Sequence, residues 1–123
     1  MIDHVSVYVD DLAAARAFYS QALAPLGYTV LMEFPGALGL GVAPKPDLWV
    51  IAGGARPGGQ HVALRASGRA AVRAFHEAAL AAGGKDNGPP GVRAQYHPSY
   101  FGAFVLDPSG NNLEACCHEP YLE

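Results

Sequence analysis

The sequence predicts an α+β fold: two βαβββ modules whose strands form a curved mixed sheet, cupped, with helices on its outer face. Three observations lead there. The chain repeats itself at an offset of 57 positions: His4-Val5-Ser6-Val7 falls on His61-Val62-Ala63-Leu64, and Arg16-Ala17-Phe18 falls on Arg73-Ala74-Phe75. Over residues 4–24 against 61–81 there are ten identities in 21 positions; half are Ala in an Ala-rich chain, so the weight rests on the His, the Arg-Ala-Phe triplet and Leu23/Leu80. Each copy then opens with a period-two apolar pattern and passes into a period-3.6 one, the sign of a strand followed by a helix. Finally, Gly/Pro punctuation after each helix divides the remainder of each copy into short strands.

The bulk composition bounds the rest. A chain of 123 residues is one domain, with module 1 at about 1–56 and module 2 at about 57–123. It is 50% hydrophobic and 15% charged, the balance of a globular protein rather than a disordered one. A formal net charge of −3 without a basic run gives no electrostatic reason to expect nucleic acid. No apolar stretch approaches the ~20 residues of a membrane span. Cys116 and Cys117 are adjacent in a strand pattern, side chains to opposite faces, so no disulfide framework is expected. With no signal-peptide pattern at the N-terminus, a cytoplasmic location is the expectation.

In order, residues 2–9 alternate as a strand, with Val5, Val7 and Val9 on one face and His4, Ser6 and Tyr8 on the other. Asp10 or Asp11 supplies an N-cap for a helix to about Leu23, whose stripe is Leu12, Ala15, Phe18, Ala22 and Leu26, stopped by Pro25 and Gly27. Strands come next at about 28–34, 38–43 and 47–52. Gly53-Gly54 through Gly58-Gly59 is the joint. The second copy gives a strand at 60–66, Ser67 as N-cap, and a helix at about 69–82 stopped by Gly83-Gly84. A Gly/Pro-rich loop at 85–91 leads to strands near 92–96, 100–106 and 112–118, with Asp107-Pro108-Ser109-Gly110 as the last turn.

Strand parity then sorts the side chains. If Val5, Val7, Val62 and Leu64 pack under the helices, His4, Ser6, Tyr8, His61, Ala63 and Arg65 face the other way. On the last strand Leu113, Ala115 and Cys117 face the helices, and Asn112, Glu114, Cys116 and His118 share the open side. Two imidazoles and a carboxylate thus line one hollow.

Asp3-His4-Val5-Ser6, Phe18-Tyr19, Gln60-His61-Val62-Ala63 and the run from Phe104 through Asp107-Pro108-Ser109-Gly110-Asn111-Asn112-Leu113-Glu114 together resemble the vicinal oxygen chelate superfamily. It includes glyoxalase I, bleomycin resistance proteins, fosfomycin resistance enzymes and extradiol dioxygenases. The resemblance covers nearly the whole chain and implies a glyoxalase-like cup, often in a homodimer, holding a divalent metal ion (Zn, Fe, Mn or Ni). It places the metal ligands at His4, His61 and Glu114, with Trp49 at the fourth position by alignment of Asp47–Ile51 with Asn112–Cys116. An indole cannot ligate, so open coordination positions would be left for two neighbouring substrate oxygens.

The resemblance implies a metal-dependent lyase, isomerase or transferase acting on a small oxygenated substrate. Trp49 argues against glyoxalase I activity, because that position carries the family's proton-transferring glutamate. His97 is the candidate acid or base, an imidazole's ordinary pKa lying near neutrality. Tyr100 stands beside it as a candidate catalytic residue; Trp49, Arg65 and Phe101 would shape the substrate pocket. Two other readings stay open: a non-catalytic protein sequestering a small molecule, as in the bleomycin-resistance branch, and an Fe(II)-dependent dioxygenase, against which Phe104 stands where that group carries Tyr.

Overall fold

The computed structural model describes residues 1–53, 57–120 and 123. The joint expected between Gly53 and Gly59, with the module boundary near residue 56, falls partly outside that range. The elements run β1 (Val5–Val9), α1 (Leu12–Ala22), a 3-10 turn (Ala24–Leu26), β2 (Thr29–Phe34), β3 (Ala37–Gly41), β4 (Leu48–Ala52), β5 (His61–Arg65), α2 (Arg69–Ala81), β6 (Lys85–Val92), β7 (Phe101–Leu106) and β8 (Asn112–Cys117). The repeat is complete at this level. Each copy is strand–helix–three strands, and each forms a four-stranded mixed sheet of the same order, β1-β4-β3-β2 and β5-β8-β7-β6. The first strand of each copy pairs parallel with the last, and the other pairs are antiparallel.

The helices pack against each other over one side of both sheets. Val7, Val9, Leu113, Ala115 and Cys117 are buried beneath them and Val5, Val62 and Leu64 pack there partly buried, the side parity assigned; Leu38, Leu40, Leu48, Val50 and Val105 complete that layer. Repeat-equivalent Phe18 and Phe75 are both fully buried at the centre. Asp11 caps α1, its carboxylate accepting from Ala14 N–H at 3.1 Å. Gly27, at φ 82°, provides the left-handed residue that ends the adjoining turn. No helix among the described residues is long and apolar enough to cross a membrane.

Four local expectations are corrected. Residues 85–91 are not a loop but most of β6, and the separate strand expected near 92–96 does not form: Val92 ends β6 and 93–96 carry no strand. Pro89 and Pro90 are tolerated because β6 is an edge strand, with register shifts between Asp86 and Gly88 and between Gly88 and Gly91. Residues 93–100 form the connector to β7. The N-cap of α2 is Gly68, not Ser67, and it makes no side-chain cap bond. β1 begins at Val5 rather than Ile2, since its partner β4 begins at Leu48, the residue opposite Val5.

The Asp-Pro-Ser-Gly-Asn turn ties the copies together. Asn111 Nδ2 donates to Tyr8 O at 2.9 Å, Asp10 N–H donates to Ser109 Oγ at 2.9 Å, and Tyr8 N–H donates to Gln60 Oε1 at 3.2 Å. Gln60 N–H in turn donates to Asn111 Oδ1 at 3.2 Å. The end of β1 is thereby fixed beside the start of β5. At the other end, Ile2–Val5 and Val62–Leu64 flank a cavity of about 260 Å³. The two edge strands therefore run side by side in opposite senses.

Candidate functional site

Glu114 is the focus of the face turned away from the helices. Its side chain is 3% exposed although it sits mid-strand on β8, opposite Ala63 of β5 and Phe104 of β7. A buried carboxylate must be hydrogen-bonded. One oxygen, Oε2, lies 2.8 Å from His61 Nε2, and the other accepts from the Tyr100 hydroxyl. Burial first, and then that bond to Glu114, hold the Tyr100 hydroxyl far above the usual phenol range, so it remains a donor.

Tyr100 reaches Glu114 because β7 offers no side chain in between. A Cβ on Gly102 would stand 3.1 Å from the Tyr100 ring and 3.4 Å from Glu114 Oε1. The ring is further held edge-on between Tyr96 and His118, with centroids at 5.2 and 4.9 Å. Cys116 shares this face, and burial, the largest cause, pushes its thiol pKa up.

Module 1 presents different chemistry at the equivalent place. Trp49 lies opposite Ser6 and Gly39 just as Glu114 lies opposite Ala63 and Phe104, so the two registers make Trp49 and Glu114 counterparts. The indole covers Gly39, where a Cβ would come within 2.9 Å of it, and stacks on Phe34 at 6.2 Å between centroids. Phe34 is 57% exposed. One half of the open face is thus an aromatic wall, the other a hydrogen-bonded polar floor.

The remaining expected residues separate. His4 precedes β1, is half exposed, and its Nδ1 lies 2.7 Å from Asp3 Oδ1. That carboxylate also binds Lys45, at 2.8 Å; Lys45 first and then His4 hold its pKa below the usual value. His97 Nδ1 accepts from Ser99 N–H at 3.0 Å, which puts the neutral ring's proton on Nε2, and its ring lies 6.1 Å from that of His118. Arg65 is ion-paired with Glu119 on the exposed side of β5. Phe101 is not a pocket residue. It is 6% exposed and packs on the helix side, with the Arg69 and Arg73 guanidinium groups 4.9 and 5.2 Å from its ring centre.

A divalent metal requires at least three converging donors in a site of this kind. His61 and Glu114 converge, but Glu114 is already engaged at both oxygens and His4 is turned to Asp3. Among the described residues no group of three or more His, Cys, Asp or Glu side chains could hold a metal ion. In this arrangement the donor set does not fit one. Residues missed in the sequence include Phe34, the stacking partner of Trp49, and Arg93, whose guanidinium lies 5.5 Å over the Phe104 ring. Parity from the Pro35-Gly36 turn could have found Phe34; nothing local marked Arg93.

The chain belongs to the Glyoxalase/Bleomycin resistance protein/Dioxygenase superfamily, whose family model matches residues 1–115. Among solved structures it is similar to a glyoxalase/bleomycin resistance protein from Albidiferax ferrireducens, at 27% identity and a TM-score of 0.83, covering 93% of this chain and 96% of that one. A glyoxalase/bleomycin resistance protein/dioxygenase family enzyme from Burkholderia phytofirmans shares the fold at 19% identity and a TM-score of 0.74, over 96% of this chain and 98% of that one. So does a lactoylglutathione lyase from Agrobacterium tumefaciens, at 20% identity and 0.69, over 94% and 92%. No curated protein sequence matches the chain.

Proposed function

We propose that this protein binds a planar, largely apolar small molecule on the open face of its sheets and does so without a metal ion. One observation carries the reading: at counterpart positions the two modules offer an indole and a carboxylate whose oxygens are both held by protein side chains. Trp49 and Phe34 supply stacking area, while His61, Glu114 and Tyr100 supply a fixed hydrogen-bonding edge that orients the ligand. Within this constellation Tyr100 is a hydrogen-bond donor that keeps its proton and holds Glu114, and the His61–Glu114 pair is a path by which a proton could be exchanged with a bound ligand. Trp49 is the chain's single tryptophan, so its fluorescence reports directly on the wall. Naphthalene-sized aromatics should quench it saturably, chelator should leave affinity unchanged, and Trp49→Ala should weaken binding by about tenfold or more. Equal affinity for short aliphatic hydroxy acids, or binding that needs added divalent ion, would overturn the proposal.

The adjacency of His61 and Glu114 favours a second reading, a metal-dependent lyase, isomerase or transferase with His4 as third ligand. It requires His4 to leave Asp3 and Glu114 to exchange one of its partners. Elemental analysis of protein purified without chelator separates the two: about one ion per chain, lost in His61→Ala, would establish the second reading. The assembly expected on either reading is a homodimer, and equilibrium sedimentation would show a species of twice the 12.8 kDa chain mass.

A further inference from the structure

The polar floor continues past His61 into a cavity of about 280 Å³ lined by Asn87, Gly88, Arg93, Tyr96, Phe104 and Asn112. Its position is fixed by the ring of Phe104, which lies 6.3 Å from that of His61. We infer that this cavity receives a carboxylate group of the ligand, with Arg93 as its anchor. The inference rests on the binding face proposed above and names what the ligand must carry.

The guanidinium is held in place before any ligand arrives. Arg93 comes directly after β6, and its Nη2 donates to Pro89 O at 2.6 Å while the group lies over the Phe104 face. That backward fold is possible because β6 carries glycine at two points. A Cβ at Gly88 would sit 3.2 Å from Arg93 Nη2 and 2.9 Å from the Phe104 ring; one at Gly91 would sit 3.0 Å from Arg93 Nη1. The register shifts around Gly88 open the edge at the same place.

Charge and hydrogen bonding agree on the sign of the guest. Of the five N–H groups of a guanidinium, one is used by Pro89 O. Among the described residues Arg93 has no carboxylate within ion-pairing distance, unlike Arg16, Arg65 and Arg73. The nearby acid, Asp86, feels the Arg93 charge without forming an ion pair with it, and its Oδ1 binds His76 Nε2 at 2.9 Å and accepts from Gly88 N–H at 3.0 Å. Across the cavity Asn87 Nδ2 donates to Asn112 Oδ1 at 3.2 Å, leaving the second Asn87 amide proton as a further donor. A planar fork over an aromatic floor is matched by a carboxylate, which it can bind bidentately.

The test monitors Arg93 and Trp49 separately in the intact protein at low salt. The Arg93 Nε–H resonance, assigned by its loss in Arg93→Gln, is recorded while benzoate, benzamide and inorganic phosphate are titrated in turn. Benzoate should shift it saturably, benzamide should not, and phosphate should bind more weakly than benzoate. Asn87→Asp sets a like charge at an exposed position of the cavity and should weaken benzoate by about tenfold. No saturable shift with benzoate, an equal response to benzamide, or tighter binding of phosphate would overturn the carboxylate pocket. Quenching of Trp49 by naphthalene derivatives with Arg93 silent would remove the pocket and leave the binding face standing. A benzoate response at Arg93 with Trp49 silent to every aromatic would retain the pocket and remove the planar wall.

Discussion

Asp107 is buried and takes four hydrogen bonds: from the Tyr19 hydroxyl at 2.7 Å, from Ser109 N–H and Asn111 N–H at 2.8 Å each, and from Asn111 Nδ2 at 2.8 Å. Removing one donor from so closed a carboxylate costs about 1–3 kcal/mol. Tyr19→Phe should therefore lower the unfolding free energy in urea by that amount with an unchanged m-value. Burial, then the charge of Asp107, raises the Tyr19 pKa well above its ordinary 10.0. The hydroxyl's contribution is thus fully present below that value and is lost as pH rises from it toward the folded pKa. The gap between wild type and Tyr19→Phe should accordingly narrow in strong alkali, and a gap that stays constant as the unfolded phenol ionises would contradict this. Both thiol pKa values are also raised, chiefly by burial, so Cys116 and Cys117 should react with a disulfide reagent at mildly alkaline pH more slowly than free cysteine until the chain unfolds. At this scale the sequence was legible only in part. Strand parity placed Glu114, but not Phe101, which begins β7 at a phase that irregular 93–100 hides, and not Tyr19, whose partner lies 88 residues away.

Among the elements, β1 and β5 were readable because each covers one face more than the other, which imposes the period of two, whereas β8, buried on both faces, was located by the Asp107–Gly110 turn before it. β6 was not, since an edge strand with shifted register admits Pro89 and Pro90 and shows no alternation. Its attachment to α2 depends on close approach. A Cβ at Gly84 would lie 2.4 Å from Val105 Cγ1, 2.8 Å from the Phe18 ring and 2.9 Å from Ala79 O. Gly84→Ala should destabilise by about 1–3 kcal/mol, the usual cost of overpacking, measurable in a denaturant titration. The His76–Asp86 pair fastens α2 to the same strand from outside, and His76 is the first cause of the depressed Asp86 pKa. Whatever stability Asp86 contributes is present above its ordinary 3.8 and fades as pH falls through the lower folded value. Asp86→Asn and wild type should converge in stability in strong acid, and curves that diverge there would refute the assignment.

For the whole molecule the repeat was the most legible feature, and its divergence the least. The β2–β3 connection is the two residues Pro35-Gly36, whereas β6–β7 is the eight residues 93–100, and that longer connector brings Arg93, Tyr96, His97 and Tyr100 onto module 2 alone. No comparison of aligned halves shows groups that only one half possesses. The halves are joined through Asn111, which reaches Tyr8 O and Asp107 and receives Gln60 N–H. Asn111→Ala should loosen that junction, so that Trp49 fluorescence, a probe of module 1, melts earlier than the far-ultraviolet dichroism of the whole chain. Coincident curves would show that helix packing alone keeps the modules cooperative.

The exchange of indole for carboxylate at counterpart positions has a consequence for stereochemistry. A hollow with twofold-equivalent walls receives a guest in two degenerate poses, related by turning it end for end. Here the walls differ in polarity, so the degeneracy is lifted and one pose prevails. A ligand with an oily end and a polar end would be read with a fixed heading, and each of its prochiral faces would meet a different side of the protein.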